Sequence, residues 1–180
     1  LLSKMIDDNG RALIPHFYDA VLPMTEKDKE LIDNLEFDPE RFAKDFGVQE
    51  IVAKDKYDYY DKLMFQPTLT VNGLRCGWTG DGCKNIVPKS ATAKMEVRFA
   101  WKQDPDTIYK LIEDFVKEHN PDVTMKMVED YMYPSRNLPD TPVFQSVIEA
   151  VERAWNVKPI VCPITGGSLP DFIWTTIMEQ

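Results

Sequence analysis

Eleven residues, Ala91-Thr-Ala-Lys-Met-Glu-Val-Arg-Phe-Ala-Trp101, alternate between small or apolar and polar side chains almost without a break. A period of two places Ala91, Ala93, Met95, Val97, Phe99 and Trp101 on one face and Thr92, Lys94, Glu96 and Arg98 on the other. Such a segment can only be a strand with one wet face, so the chain needs a partner strand and a cover for the dry side. Thr68-Leu-Thr-Val-Asn72 offers the partner strand, ending at Gly73, and Val123 to Val128 alternates again as a third. The cover is the segment after Asp104-Pro105. Ile108, Leu111, Ile112, Phe115 and Val116 recur there at helical spacing up to His119-Asn120-Pro121. Strand, strand, helix, strand predicts an α+β fold: a ferredoxin-like βαββαβ sheet domain lacking its first strand.

The flanking segments have a different texture. A helix over the first residues is expected to stop at Asp8-Asn9-Gly10, followed by a short extended piece, Arg11 to Pro15. Residues 15–66 read as a helical excursion, with Thr25 and Asp38 placed as N-caps and Pro39 at a first helical position. Pro134-Ser-Arg-Asn-Leu-Pro139 reads as a polar hinge. Beyond it come a helix from Pro142 to Trp155, a short buried strand from Lys158 to Pro163, a Thr165-Gly-Gly-Ser168 turn and a last helix. This αβα tail belongs to another layer, giving expected domains of 1–133, with its sheet over 67–131, and 134–180. Apolar helix patterns run into both termini without caps, so the sequence reads as an excerpt of a longer protein.

Charge narrows the function classes. The 180 residues carry a formal net charge of -9, a field that repels nucleic acid. No apolar run approaches the roughly 20 residues that cross a bilayer. Three cysteines, Cys76, Cys83 and Cys162, lack a C-x-x-C spacing and are expected as mostly buried or half-buried thiols in a reducing cytoplasm.

Catalysis by these residues alone is hard to assemble. Only two histidines, His16 and His119, are present, neither in a metal-binding spacing, and a dinuclear site needs more ligands. No G-x-S-x-G supports a serine nucleophile. Gly77, Gly80 and Gly82 join two strands rather than opening a helix, so a flexible hairpin loop is expected instead of a phosphate cradle. Two features suit ligand gripping. Arg98 projects from a strand whose other face is core, which suits bidentate binding of a carboxylate, although a lone strand arginine is more often solvated. Gly166-Gly167-Ser168 offers backbone N–H groups near an expected helix start, although alone it is more often a plain turn.

Together these segments resemble, in order along nearly the whole chain, the carnosinase-like dipeptidases and related aminoacylase-type peptidases. The resemblance rests on Asp8 to Val21, Asp33 to Gly47, Pro67-Thr-Leu-Thr-Val-Asn-Gly73, Gly80-Asp-Gly-Cys-Lys-Asn-Ile-Val-Pro88, Glu96-Val-Arg98 and Thr165-Gly-Gly-Ser-Leu-Pro170. It implies a dinuclear metallopeptidase, with zinc or manganese in an α/β catalytic domain, into which a dimerising ferredoxin-like lid is inserted. By position, Arg98 would bind the substrate carboxylate, and Gly166, Gly167 and Ser168 would contact the substrate from the catalytic side. Asn85 stands where carnosinases have Thr, which implies a substrate-binding residue that can still hydrogen-bond but with a different reach, and His16 stands where the family commonly has Gly. A histidine that carnosinases carry after the last lid strand has no match, its place being taken by Tyr131, Met132 and Tyr133. The family's metal ligands lie outside these residues, so no metal or catalytic residue is assigned and the isolated chain is expected to be inactive. The implied partners are a second copy of the chain and a dipeptide or N-acyl amino acid. The competing expectation is a non-catalytic, ferredoxin-like dimerisation module.

Overall fold

The structure is a computed structural model that describes residues 1–128, 131–138, 141–167 and 169–178. It separates into two compact units, each built from non-contiguous segments. The first comprises Leu1–Ala20, Pro67–Phe99 and Asp104–Glu129; the second comprises Val21–Gln66, Ala100–Gln103 and Asp130–Gln180. Sequence order does not reveal this grouping of the helical stretch before the hairpin with the residues that follow the sheet.

The first unit begins with a short helix, α1 (Leu2–Met5), which stops sooner than the sequence pattern suggests. The Asp7 carboxylate captures the backbone N–H groups of Asn9 and Arg11 at 2.9 and 2.8 Å, and this turn competes with helix continuation. Gly10, at φ 79°, completes the reversal, and Ile6 then bridges Ala12. Strands β1 (Thr68–Cys76) and β2 (Ala91–Arg98) form an antiparallel hairpin, paired from Thr68↔Arg98 to Cys76↔Ala91. Strand β1 runs past the expected stop at Gly73 because the ladder absorbs Asn72 as an irregularity between Val71 and Gly73.

Helix α5 (Pro105–His119), numbered after three helices that precede the hairpin in sequence and belong to the second unit, covers the inner half of this hairpin. Leu69 is buried from β1, and Ile108, Ile112, Phe115 and Val116 are buried from α5; Met95 and Val97 of β2, with Phe99 just beyond it, pack half-buried against them. The period-two and helical faces inferred from sequence thus meet in one core. The start of α5 is fixed by Asp104, whose carboxylate accepts from the Thr107 backbone N–H at 2.9 Å and from its hydroxyl at 2.6 Å. These bonds hold the Asp104 carboxyl below the usual carboxylate range.

The second unit holds α2 (Glu26–Asp33), α3 (Pro39–Phe46), α4 (Lys56–Met64) and α6 (Pro142–Trp155). Thr25 and Asp28 form a capping box on α2, and Asp38 with Pro39 opens α3 as the sequence indicates. Ile32, Tyr60 and Phe65 make its small core, with Ile164 packed on them. Asp28, almost wholly buried, also receives Nη2 of Arg136. The Arg136 guanidinium lies between the rings of Phe65 and Trp101, 5.2 and 5.3 Å from their centroids. Its Nε has no acceptor among the described residues.

Several expectations are corrected. Residues 123–128 pair with no strand among the described residues; only Met125 turns toward the core, because alternation selects a face but cannot supply a free edge to bond to. The strand predicted over Lys158 to Pro163 is irregular, with Ile160 at 70% exposure and only Pro163 buried. The last helix reduces to a five-residue π-helical turn, Ile173–Ile177. Strand β2 ends at Arg98, and Trp101 enters a turn instead. All three cysteines are exposed, since each lies in the outer hairpin, its loop or the irregular stretch, where little is buried. The described residues therefore show a mixed helix-and-sheet fold with a two-stranded sheet.

The Asp104 cap gives α5 a pH-dependent anchor. A depressed carboxyl stabilises the fold fully above the ordinary carboxylate range, and that contribution disappears as pH falls through the folded-state value. Asp104→Ala is expected to lower stability by about 1 kcal/mol at neutral pH and to flatten the acid limb. Urea midpoints measured from pH 7 down to pH 3 check both; an unchanged acid limb would refute the assignment.

Candidate functional site

Arg98 closes the inner end of β2, opposite Thr68, on the face turned away from the core. Its Nε lies 3.2 Å from Oε1 of Glu96, and the other Glu96 oxygen accepts from the Asn72 side-chain amide at 2.8 Å. Glu96 therefore orients the guanidinium from the side. The outer edge, carrying Nη1 and Nη2, has no protein partner among the described residues, and the side chain is 56% exposed. A carboxylate fits that edge with two parallel hydrogen bonds. The Glu96 contact is a half-exposed ion pair, whose worth to folding is about 0–1 kcal/mol.

Asn85 occupies the loop joining β1 to β2, beyond the Cys76–Ala91 end of the hairpin. The two residues therefore stand at opposite ends of one ribbon. Seven residue steps along β2 at about 3.3 Å each separate its ends by roughly 23 Å. Arg98 and the start of the loop that carries Asn85 are therefore at separate ends of the ladder.

Gly166 and Gly167 lie in the second unit, and Ser168 falls outside the described residues. A Cβ on Gly166 would approach the Leu63 carbonyl oxygen of α4 to 3.1 Å, which accounts for the absence of a side chain there; at Gly167 the space is open. The expected helix start behind this loop is not present. The next helical residues begin at Ile173 and span a single turn, so no helix dipole reinforces these N–H groups.

Neither histidine is arranged as a ligand. His16 Nδ1 is 2.7 Å from Asp19 Oδ2 on the surface, and its backbone has φ 65°, the left-handed conformation that glycine adopts without strain. His119 Nδ1 donates to the Phe115 carbonyl oxygen at 2.9 Å while its ring stacks on Phe115. Among the described residues no group of three or more His, Cys, Asp or Glu could hold a metal ion. These residues do not fit the dinuclear site of a metallopeptidase. No helix among them is long and apolar enough to cross a membrane.

Residues 19–124 match the model of the M20 peptidase dimerisation domain, well over half of the chain. The chain belongs to this family. The chain is 27% identical over 179 residues to the Cys-Gly metallodipeptidase DUG1 of Candida albicans, covering 94% of this chain and 36% of that protein. It is 26% identical over 108 residues to the Beta-Ala-His dipeptidase of Rattus norvegicus, covering 60% of this chain and 22% of that one. Among solved structures, an M20 family metallo-carboxypeptidase of Sulfolobus solfataricus, Sso-CP2, superposes with a TM-score of 0.85 at 31% identity, over 97% of this chain and 40% of its own. Human carnosine dipeptidase 1 shares the fold, with a TM-score of 0.72 at 19% identity. The chain thus spans at most about two fifths of these relatives, which are peptidases by name, the Candida albicans and Sulfolobus solfataricus proteins being named as metallopeptidases.

Sequence reasoning placed Arg98 but passed over Arg136, which sits in the segment read as a polar hinge. Its surroundings are assembled from Asp28, Phe65 and Trp101, residues distant in sequence, and no local pattern announces them. The two arginines should behave oppositely in folding. Arg98→Ala is expected to change stability by less than about 1 kcal/mol. Arg136→Ala, which strands the buried Asp28 carboxylate, should cost about 3–5 kcal/mol. Denaturant titration of the two variants tests the contrast, and equal losses would contradict it.

Proposed function

We propose that this chain forms the lid and dimerisation portion of a metal-dependent peptidase that cleaves dipeptides or related N-acyl amino acids. The observation that carries the reading is Arg98, seated beside Glu96 with its outer guanidinium edge open, in a chain of the M20 peptidase dimerisation domain family. Such an edge recognises a free C-terminal carboxylate, the group that distinguishes dipeptides and N-acyl amino acids from internal peptide bonds. Two divalent ions, zinc or manganese, belong in this reading to residues of the longer protein. They would supply the activated water.

Residues 1–133 form the lid in this proposal, with the hairpin and α5 as the middle of a ferredoxin-like layout, and 134–180 begin the return to the catalytic domain. The family match falls wholly within the first of these ranges. Gly166, Gly167 and Ser168 would meet the substrate from the catalytic side through backbone donors and the Ser168 hydroxyl. The three free, exposed thiols suit a reducing compartment such as the cytoplasm.

A homodimer follows from the hairpin. Its outer half is exposed, with Leu74 at 66% and Val87 of the connecting loop at 94% exposure. Asn85 lies in the loop at that outer end while Arg98 closes the inner end, so in this reading the two serve one substrate when each comes from a different copy. The competing reading, a dimerisation module without catalysis, shares the hairpin but gives Arg98 no ligand.

Kinetics of the protein from the complete reading frame decide between them. Arg98→Ala is expected to lower kcat/KM toward dipeptides with a free carboxylate by on the order of 100-fold or more, with Arg98→Lys recovering little of it. Unchanged kinetics remove Arg98 from the site, and measurable turnover by the 180-residue chain alone with added zinc or manganese overturns the division of labour. Mixing the impaired Arg98→Ala and Asn85→Ala proteins should raise kcat/KM above the average of the two, through dimers in which one site keeps both groups. If the mixture shows only that average, the two residues do not act across the dimer.

A further inference from the structure

The loop from Gly77 to Lys84 is wound around one side chain. Trp78 Nε1 donates to the Asp81 carbonyl oxygen at 3.1 Å, tying the ring to the loop's own backbone three residues on. Lys84 returns to the same indole, its Nζ 3.8 Å from the ring centroid, a cation–π contact. Gly80 lies so close against the ring that a Cβ there would stand 2.6 Å from Cζ2, so a side chain at 80 displaces the indole. Gly77 and Gly82 adopt φ 71° and 75°, and Pro88 closes the base against Gly77. The glycines that read in sequence as flexibility are here what lets the backbone fold tightly about a ring.

Lys84, clamped on the indole, is the residue immediately before Asn85. We propose that Trp78 is a positioning residue, an indole post that fixes the hairpin loop so that Asn85 is held ready for the substrate. The inference rests on the reading of Asn85 as a substrate-binding residue. Trp78 does not itself touch substrate; it acts through the Gly80 contact, the Asp81 carbonyl and the Lys84 ammonium. Freed of the post, the loop samples many conformations and Asn85 contributes its hydrogen bond only in a fraction of them.

The test is a double-mutant cycle in the enzyme from the complete reading frame, joined to a readout independent of activity. Asn85→Ala is expected to lower kcat/KM about tenfold, the loss of one neutral hydrogen bond to substrate. Trp78→Ala and Gly80→Ala should lower it by up to the same factor, and Trp78→Ala should add nothing in the Asn85→Ala background. Trp78→Phe keeps a ring under Lys84 but not the bond to Asp81 and should fall between. Tryptic cleavage after Lys84, followed by mass spectrometry, should quicken in Trp78→Ala and Gly80→Ala but not in Asn85→Ala. Additive losses, or Trp78→Ala and Gly80→Ala proteins that match the parent in cleavage and kinetics, overturn the positioning role. An Asn85→Ala enzyme with unaltered kinetics instead overturns the placement of Asn85, and this role of Trp78 with it.

Discussion

The first unit depends on one contact, the apolar face of α5 laid across the inner half of the β1–β2 hairpin. A two-stranded hairpin is marginal by itself in water, and this one gains its dry side from Ile108, Ile112, Phe115 and Val116 against Leu69, Val97 and Phe99. Cover reaches only the inner end. There Arg98 stands on a strand whose opposite face is packed, so its backbone has little freedom to move when a ligand is gripped. Toward Cys76 and Ala91 the ribbon leaves the helix behind, and its side chains are exposed on both faces. The same geometry that makes one end a rigid platform makes the other an arm free to meet a second molecule.

The second unit is held in another way. Its apolar core is small, and it is joined by a buried charge pair between Asp28 and Arg136 that draws together the start of α2, the 134–138 segment and the rings of Phe65 and Trp101. A pair like this contributes little net stability compared with well-packed apolar groups, since desolvating both charges offsets most of their attraction. It does select an arrangement, because neither charge tolerates burial without the other. Asp28 is committed twice, through one oxygen to the capping box with Thr25 and through the other to Arg136. Helix initiation and long-range packing are therefore coupled at one carboxylate.

Legibility in the sequence followed the range of the physics involved. Caps at Thr25, Asp38 and Asp104, the proline openings of α3 and α5, and the strand through Met95 and Val97 are all decided within a few residues, and all were visible as patterns. Arg98 was visible as a candidate because alternation assigns its face. Failures came where the outcome depended on a distant partner. Val123 to Val128 alternates like a strand but finds no edge; Lys158 to Pro163 has the composition of a buried strand without the burial; Arg136 looks like a hinge charge and is enclosed. The glycine loop reads in sequence only as a hairpin connection, and its contacts of Trp78 with Asp81 and Lys84 appear only in the structure.

By itself, then, the sequence determined the alternation through β2, the starts of α2, α3, α5 and α6 and the motif order that marks the peptidase family, because each rests on local backbone preference or side-chain spacing. Only the tertiary structure decided that the hairpin is covered at one end alone, that Arg98 and Asn85 lie at opposite ends of it, and that Glu96 leaves one guanidinium edge open. Register and burial are properties of pairs of segments. Until the strands are aligned and a helix is laid on them, the same residues are compatible with many distances between the groups that bind.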